Sequence, residues 1–519
     1  MVRPRLWQWL LCAGAVLACG AVHAADDGQA ILDKATDVKL TAESVADLND
    51  VIRLCQEAIK AGLDEDNTKF ANGLLASTLT QRAEMACVEL FERPVDPARA
   101  RKIAQLAVAD LEETIRIDAN QAEAQFLLGR LYGQMGEPKK ALKALDEAIR
   151  LTADEPASRA KALLVRANLH QDPKDRLADF DEAAKIAPRD PNVLRFRGMF
   201  HLGQNNLDAA VADLTAAAEI DPKDSDTQEA CGIAQALAQK YDESLESFSR
   251  AIELDPNAAT AYVHRGRIRA IKGDMPGALR DVEHGLRLQP GAVQALQLHA
   301  SLLGSAGKYD QALVDLNALR TAMPDNPEVL TQIAAVYQAS KQLHKAVATY
   351  DHLLKNDPKN ASAYRGRADT YLSLGKQNES IADYEAALKL EPNNSGVLNN
   401  LAWVLATSPD DKLRDGKRAI ELAKSAAEGT EFKQAHIVST LAAAYAETGD
   451  FDTAVTWSKK AVDIGGDQLK SQLQKELESY EAHHPWREAV PPTEEPAVQN
   501  PSEKGSPASD DTARSKNEE

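Results

Sequence analysis

The sequence predicts an all-α protein built as a solenoid of antiparallel helix hairpins, and three observations lead to that prediction. A proline recurs with a spacing of 34 residues, and small residues recur with the same spacing. Aromatic residues make up only 5% of the 519 residues, whereas Ala, Leu, Glu and Lys are abundant. This composition favours helices, because these side chains lose little conformational freedom in a helix. A period of this length is typical of stacked helical repeats.

The recurring prolines mark the end of each repeating unit. Proline disfavours helical backbone in the residue before it, so the second helix of each unit is expected to end there. The turn between the two helices carries its own breakers, as in Gly273-Asp274 and Gly307-Lys308. The prolines lie at positions Pro222, Pro256, Pro290, Pro324, Pro358 and Pro392.

The recurring small residues are expected to let the two helices of a hairpin approach closely. Those of the first helix are Gly198, Gly232, Gly266, Ala300, Ala334, Ala368 and Ala402, and those of the second are Ala210, Ser244, Ala278, Ala312, Ala346 and Ser380. Larger residues at a fixed place in the second helix are expected to fill the space between hairpins. They are Leu214, Phe248, Val282, Leu316, Tyr350 and Tyr384.

Residues 1–24 have the three-part layout of a secretory signal peptide. Arg3 and Arg5 precede an apolar run from Leu6 to Cys19, and small residues lead to a predicted cleavage after Ala24. The apolar run is too short for a comfortable membrane span. The sequence therefore predicts an exported protein.

A second interpretation of this segment stays open. Val16-Leu17-Ala18-Cys19 loosely resembles a bacterial lipobox, in which the cysteine is lipidated and begins the mature chain. Lipidation of Cys19 would anchor the protein on a membrane surface, and this is the only membrane association that we expect.

Residues 25–118 are predicted to form a divergent helical N-terminal cap. Leu48, Ile52, Cys55 and Ile59 follow the spacing of one helical face. The cysteines that remain after the signal peptide, Cys55, Cys87 and Cys231, are odd in number and scattered, so they do not form a disulfide framework. We expect buried thiols there, while a bridge between Cys55 and Cys87 stays an alternative.

The repeating pattern resembles the tetratricopeptide repeat. The resemblance covers residues 192–392 without a gap, and less regular copies extend the predicted array to 119–465. The unit at 159–188 is expected to be about three residues short in the turn between its helices. The string Asn399-Asn400-Leu401-Ala402-Trp403, followed by Arg414-Asp415-Gly416, is similar to the terminal unit of many bacterial repeat proteins. The resemblance implies a right-handed superhelix of 34-residue units, of the exported bacterial type.

Three features are expected after the regular repeats. The array contains an insertion around 407–416, and residues 466–487 are predicted to form a capping helix, which an open-ended solenoid needs for solubility. Residues 488–519 are rich in Pro, Glu, Ser and Lys without an apolar period, so they are predicted to be a disordered tail.

The resemblance also implies a binding surface, because the first helices of such repeats line a concave groove. Transferred residue by residue, the groove positions are Val263, Arg267, Glu328, Thr331, Gln338, Arg365, Asp369, Asn399 and Trp403. Two alternatives stay open: Trp403 packs beneath the insertion at 407–416, and Arg267, Arg365 and Asp369 form salt bridges within the protein. Trp and Arg are enriched at interface hot spots, which makes a protein or peptide the expected partner.

Motifs for chemistry are missing from the sequence. It contains no P-loop, no Gly-x-Ser-x-Gly elbow, no His-Glu-x-x-His helix and no Cys-x-x-Cys pair, so we expect neither an enzyme nor a bound metal or cofactor. The net charge of -19 would repel phosphate backbones, which disfavours nucleic acid as a partner. We therefore predict a protein–protein interaction scaffold or adaptor of the bacterial cell envelope, periplasmic or envelope-associated. The alternative is a lipid-anchored structural subunit of an envelope assembly.

Overall fold

The computed structural model describes residues 27–489, which form 25 helices and no strand. The predicted signal peptide at 1–24, its cleavage point after Ala24 and the lipidation candidate Cys19 lie outside these residues. The predicted all-α class and its construction from helical hairpins are confirmed. The chain divides into two compact units, and the division falls between Lys272 and Gly273.

The first unit contains thirteen helices, and consecutive helices pack against one another. They are α1 (27–40), α2 (Val45–Ala61), α3 (Glu65–Glu92), α4 (Pro97–Ile117), α5 (Ala122–Gln134), α6 (Pro138–Leu151), α7 (Pro156–Leu169), α8 (Pro173–Ile186), α9 (Pro191–Gly203), α10 (Leu207–Ile220), α11 (Ser225–Leu237), α12 (Tyr241–Leu254) and α13 (Ala259–Ile271). The region predicted as an N-terminal cap, 25–118, contains α1 to α4.

The small residues of the first helix let the hairpins close, as predicted. A Cβ atom added to Gly198 would lie 2.7 Å from Cγ of Leu214, and one added to Gly232 would lie 2.9 Å from Cδ1 of Phe248. Leu214 and Phe248 are themselves fully buried. A side chain at either position would have to displace a buried residue of the second helix, so glycine lets these two hairpins close without rearrangement.

The unit predicted to be short, at 159–188, is three residues short between its paired residues: Arg166 pairs with Asp179 thirteen positions later, whereas Arg197 pairs with Asp213 sixteen positions later. The missing residues lie between Arg166 and the end of α7 and not in the turn, where the prediction placed them. Helix α7 ends at Leu169 and α8 begins at Pro173, so their turn is as long as the turn between Gly203 of α9 and Leu207 of α10. The turns differ in backbone conformation: His170 is extended (φ -65°, ψ 137°), whereas Asn205 in the turn between α9 and α10 has positive φ (59°).

The second unit contains twelve helices, which also pack in chain order. They are α14 (Met275–Leu288), α15 (Val293–Ser305), α16 (Tyr309–Ala322), α17 (Pro327–Ala339), α18 (Leu343–Asn356), α19 (Ala361–Ser373), α20 (Gln377–Leu390), α21 (Ser395–Thr407), α22 (Gly416–Gly429), α23 (Ala435–Glu447), α24 (Phe451–Ile464) and α25 (Asp467–Glu481). The predicted insertion is present as the linker 408–415 between α21 and α22, and α25 lies where the capping helix was predicted.

In five of the hairpins, the turn between the two helices holds one residue with positive φ at a constant place in the repeat. This residue is Asn205 (φ 59°) or Gln239 (φ 60°) in the first unit, and Gly307 (φ 72°), Lys341 (φ 61°) or Gly375 (φ 72°) in the second. Their numbers differ by multiples of 34, so the turn geometry repeats even where the residue is not glycine. Left-handed backbone is unfavourable for residues that carry a Cβ atom.

An arginine of the first helix bridges two aspartates in several repeats. Arg197 contacts Asp213 through Nε–Oδ2 (2.7 Å) and Nη2–Oδ1 (2.8 Å), and it reaches Asp181 at 3.1 Å. Arg367 makes the same paired contact with Asp383, at 2.7 Å for each bond. These bidentate pairs tie neighbouring second helices together through the helix between them.

The three cysteines of the described residues are buried, free thiols. Cys55 packs among α1, α2 and α3, whereas Cys87 belongs to a different apolar cluster, so the two are not bridged. Burial raises the pKa of each of these two thiols to about 11. Across residues 27–489 the helices are either too short or too polar to cross a bilayer.

Candidate partner-binding site

The nine predicted groove residues lie on four first helices. Val263 and Arg267 belong to α13 of the first unit, where Val263 is only 8% exposed and Arg267 is exposed. The others lie in the second unit: α17 carries Glu328, Thr331 and Gln338, α19 carries Arg365 and Asp369, and α21 carries Asn399 and Trp403. Three of the nine, Asp369, Asn399 and Trp403, line one cavity.

Gln338 is held by bonds inside the protein. Its Nε2 donates to Oγ1 of Thr370 (2.8 Å) and to the carbonyl oxygen of Gly366 (3.2 Å). Its Oε1 accepts from the Tyr350 hydroxyl at 3.2 Å. Gln338 therefore joins α17, α18 and α19. Thr331 similarly donates to the carbonyl oxygen of Pro327 at 2.7 Å, while Glu328 and Arg365 are exposed.

The cavity of the second unit has a volume of about 430 Å³, which lies in the range of small ligand sites. It is lined by the first helices α19, α21 and α23, by Tyr384 of α20, by α25 and by Glu488. Its polar lining consists of Asp369, Ser373, Tyr384, Asn399, Asn400, His436, Ser439, Thr440, Gln472, Glu476 and Glu488. Its apolar lining consists of Leu372, Trp403, Leu469 and Leu473.

The helical period explains how these helices supply the lining. Residues three and four positions apart share a helix face, and so do those seven apart. Each lining set follows this spacing: 369, 372 and 373 on α19; 399, 400 and 403 on α21; 436, 439 and 440 on α23; and 469, 472, 473 and 476 on α25. The start of α21 is fixed by Asn394, whose side chain accepts from the backbone N–H of Val397 at 3.2 Å.

A chain of hydrogen bonds joins α19, α20 and α21 at one wall of the cavity. The Tyr384 hydroxyl and Nδ2 of Asn400 (3.2 Å) both donate to Oδ1 of Asp369. Nδ2 of Asn399 donates in turn to Oδ1 of Asn400 at 3.2 Å. Burial, together with the negative charge of Asp369, raises the pKa of Tyr384, so its hydroxyl keeps its proton and acts as a donor.

A second group of polar side chains joins α23 and α25. Glu476 is 1% exposed, and its carboxylate accepts from the Ser439 hydroxyl and from Nε2 of Gln472 at 3.0 Å. Burial raises the pKa of Glu476, the charge of Glu488 raises it further, and the two hydrogen bonds act in the opposite direction. A buried acid is thus held at the floor of the cavity by two neutral donors.

The residues that follow α25 fold back onto α21. His483 adopts positive φ (58°), and the N–H of His484 reaches the carbonyl oxygen of Ser479 at 2.9 Å, which ends the helix in a Schellman-type turn. Nη2 of Arg487 then pairs with Glu447 at 2.6 Å. The N–H of Glu488 donates to the carbonyl oxygen of Thr407 at 2.9 Å.

Glu488 is the first residue of the segment predicted to be a disordered tail, and it is bound. Its Oε2 accepts from Nε1 of Trp403 at 2.8 Å. The indole N–H of Trp403 therefore contacts the segment after α25, a partner that neither of the two sequence interpretations included. Residues 490–519 of the predicted tail lie outside the described residues.

One oxygen atom of the lining lacks a partner. Oδ1 of Asn399 has no hydrogen bond to any described residue, although Asn399 is only 7% exposed. A buried polar atom without a partner costs free energy, so such atoms are few in native proteins. Asn399 lines the cavity, and a donor that enters the cavity would satisfy this oxygen.

Sequence reasoning missed the contribution of α25 and of Glu488. The positions 469, 472, 473 and 476 follow the spacing of one helix face, and that periodicity could have shown that Gln472 and Glu476 share a face. The contact between Trp403 and Glu488 spans 85 positions of the sequence and had no signal there. Among residues 27–489, no three His, Cys, Asp or Glu side chains are grouped as metal ligands would be.

Models of the tetratricopeptide repeat match the chain at residues 122–155, 172–225, 232–293, 305–369 and 364–469. Together these matches cover more than half of the chain, and they include α19, α21 and α23 of the cavity. No curated protein matches the chain.

Several solved structures resemble parts of the chain. One is YrrB, described as a TPR protein with an unusual peptide-binding site. It is 20% identical, the match covers 36% of this chain and 96% of that chain, and the TM-score is 0.32. Another is a tetratricopeptide repeat protein from Parabacteroides merdae, which is 17% identical. The match covers 56% of this chain and 98% of that chain, with a TM-score of 0.38. A third is MamA from Desulfovibrio magneticus, which is 16% identical. The match covers 33% of this chain and 96% of that chain, with a TM-score of 0.31.

Proposed function

The chain belongs to the tetratricopeptide-repeat family, and from that premise we propose that it is a non-enzymatic scaffold of the bacterial cell envelope. In this proposal it holds a segment of a partner protein against the face formed by its first helices. Rigid helical repeats suit this role, because stacked units present an extended surface that loses little entropy on binding.

The observation that carries the proposal is the cavity on α19, α21 and α23. These are consecutive first helices, and the cavity between them holds Trp403 beside the unpartnered Oδ1 of Asn399. An indole provides a large apolar contact area, and an amide oxygen can accept from a backbone N–H or a side-chain donor of a bound segment. This combination is suited to recognition of a peptide.

Photocrosslinking in cells tests the binding proposal. A photoreactive residue at Ser373, which is exposed at the cavity, should capture one dominant partner protein, whereas the same residue at the exposed Lys424 of α22 should not. Replacement of Trp403 by alanine should reduce the capture at Ser373. Equal capture at Ser373 and Lys424, or adducts formed only within the chain itself, would contradict the proposal.

The location in the envelope rests on the sequence of the first 24 residues. We expect the mature protein to begin at Ala25, and the intact mass of the chain purified from its own cells checks this directly. An unprocessed chain recovered from the cytoplasm would overturn the location without affecting the binding proposal.

The second candidate is a lipid-anchored structural subunit, favoured by the Val16-Leu17-Ala18-Cys19 string. In that case the mature chain would begin at Cys19 and carry fatty acid, and Cys19→Ala would abolish labelling by a radioactive fatty acid. A wild-type chain that takes up no label would exclude this candidate.

A further inference from the structure

Each side-chain donor group around the cavity in the second unit, except the exposed imidazole of His436, already makes a hydrogen bond to a described residue. The side-chain donors described above donate to oxygen atoms of other lining residues, and three carboxylates receive most of these bonds: Asp369, Glu476 and Glu488. The hydroxyl groups of Ser373 and Thr440 donate to backbone oxygens. A ligand that approaches this lining meets acceptors.

Acceptor capacity remains at several points of the cavity. A carboxylate has about four lone-pair positions, and both bonds to Asp369 fall on Oδ1, so its Oδ2 receives neither of them. Oδ1 of Asn399 receives no bond at all from the described residues. Oδ2 of Asp369 and Oδ1 of Asn399 are therefore open to a ligand that brings N–H groups.

The charge of the lining also favours a ligand with N–H groups, and in particular a cationic one. It includes three carboxylates and no lysine or arginine, and its remaining titratable groups are His436 and Tyr384. Leu372, Leu469 and Leu473 provide an apolar wall beside these acids. A long aliphatic stem that ends in a cation fits such a lining, since the stem covers apolar surface while the charged end meets the carboxylates.

We propose that this cavity is a specificity site that receives a lysine or arginine side chain of the partner segment. Trp403 and the three leucines contact the aliphatic stem, the negative charge of Asp369, Glu476 and Glu488 attracts the cationic end, and Oδ1 of Asn399 accepts one of its N–H groups. This inference rests on the proposed function and adds the chemical class of the partner residue that the cavity recognises.

Short peptides test the site without knowledge of the natural partner. The probes are acetylated and amidated heptapeptides of glycine and serine whose central residue is lysine, arginine, norleucine or citrulline, and their dissociation constants for the full chain are measured by titration calorimetry. We expect the lysine or arginine peptide to bind about tenfold or more tightly than its neutral counterpart, because charge-assisted hydrogen bonds are lost with the charge.

Matched variants locate the binding. Glu488 is exposed and Glu476 is buried. Glu488→Gln and Glu476→Gln should each weaken binding of the cationic peptide about tenfold. Glu421→Gln removes the same charge from an exposed position of α22 and should leave the affinity unchanged within about twofold. Circular dichroism shows whether the Glu476 variant folds, and the Glu488 variant does not depend on that result.

The outcomes separate this inference from the proposed function. Equal binding of the cationic and neutral peptides would overturn the inference while leaving partner binding intact, and so would the absence of any binding together with capture of a partner at Ser373. Binding that appears only after residues 490–519 are removed would assign the site to the chain's own tail. A loss of affinity in Glu421→Gln equal to that in Glu476→Gln would show attraction to the net charge of -19 alone.

Discussion

The arginine that joins neighbouring hairpins places charged groups in a largely buried part of the repeat. In the second unit Arg367 is 19% exposed and Asp383 is 9% exposed, so their charges are largely removed from solvent. Partly buried ion pairs contribute little net stability, but the loss of one partner leaves an uncompensated charge. The arginine is therefore best understood as a group that cannot be removed alone.

Replacement of Arg367 by methionine should lower the free energy of unfolding by about 2–3 kcal/mol, because Asp383 would stay buried without its bidentate donor. Urea denaturation of the full chain measures this. Lys459→Met in the same unit is the control: Lys459 pairs with Glu481 but is 58% exposed, so its loss should cost less than about 0.5 kcal/mol. Equal effects of the two changes would show that burial of the Arg367 pair is unimportant.

Glu476 should make stability depend on pH. Burial raises the pKa of Glu476 in the folded protein, so its stabilising contribution is complete below the ordinary carboxyl pKa and is lost as the pH rises through the raised value. Glu476→Gln stays neutral, and its melting temperature relative to wild type should increase between pH 4 and pH 8. Glu478→Gln, exposed on the same helix, should follow the wild-type profile. If the melting temperatures of Glu476→Gln and wild type keep a constant difference from pH 4 to pH 8, Glu476 does not make stability depend on pH.

Sequence reasoning at this scale identified residue types better than residue roles. It placed Arg365 and Asp369 in the groove, with a salt bridge as the alternative. The bridging arginine of that repeat is Arg367, and Asp369 accepts from Tyr384 and Asn400. Positions two apart on a helix lie on nearly opposite faces, so an error of two residues changes the role completely. The face that each first helix presents depends on packing angles that the sequence does not specify.

At the scale of the element, the boundaries of the hairpins were predictable and the backbone of their turns was only partly so. Proline marked where helices such as α10 and α12 end, and small residues marked where they approach the first helix. Gly307 and Gly375 marked two of the turns. Lys341 has the same positive φ although it is not glycine, and its residue type does not predict that backbone conformation.

Gly304 and Gly307 separate conformational from steric effects. An added Cβ atom would meet nothing within 4 Å at either position, but only Gly307 has positive φ (72°). Gly307→Ala should destabilise the protein by about 1 kcal/mol because alanine disfavours left-handed backbone. Gly304→Ala, near the end of helix α15, should be neutral or stabilising by up to about 1 kcal/mol. Urea denaturation compares the two, and equal losses would mean that φ does not decide the outcome.

At the scale of the whole molecule, the predicted architecture was correct for the repeats, whereas the prediction for the last part of the described chain was incomplete. A 34-residue period is visible because each unit must fit the unit beside it, so the same sizes recur at the same places. The segment 482–489 contacts α21 and α23 instead of continuing the repeat, and a unique contact leaves no period. The candidate site lies at this junction, which is why sequence reasoning found Trp403 and Asn399 but not Glu488.

Truncation of the full chain measures what this segment contributes. A chain that ends at Ala489 keeps Trp486 packed on the core of α21 and α23, the pair between Arg487 and Glu447, and the bond from Trp403 to Glu488. A chain that ends at Glu481 loses all three, and its free energy of unfolding should be lower by about 2 kcal/mol or more. Hydrogen exchange should show faster exchange in α21 and α23 of the shorter chain while α17 stays protected. If both chains unfold at the same urea concentration and exchange alike, the segment is a passive extension and Glu488 is free to leave the cavity.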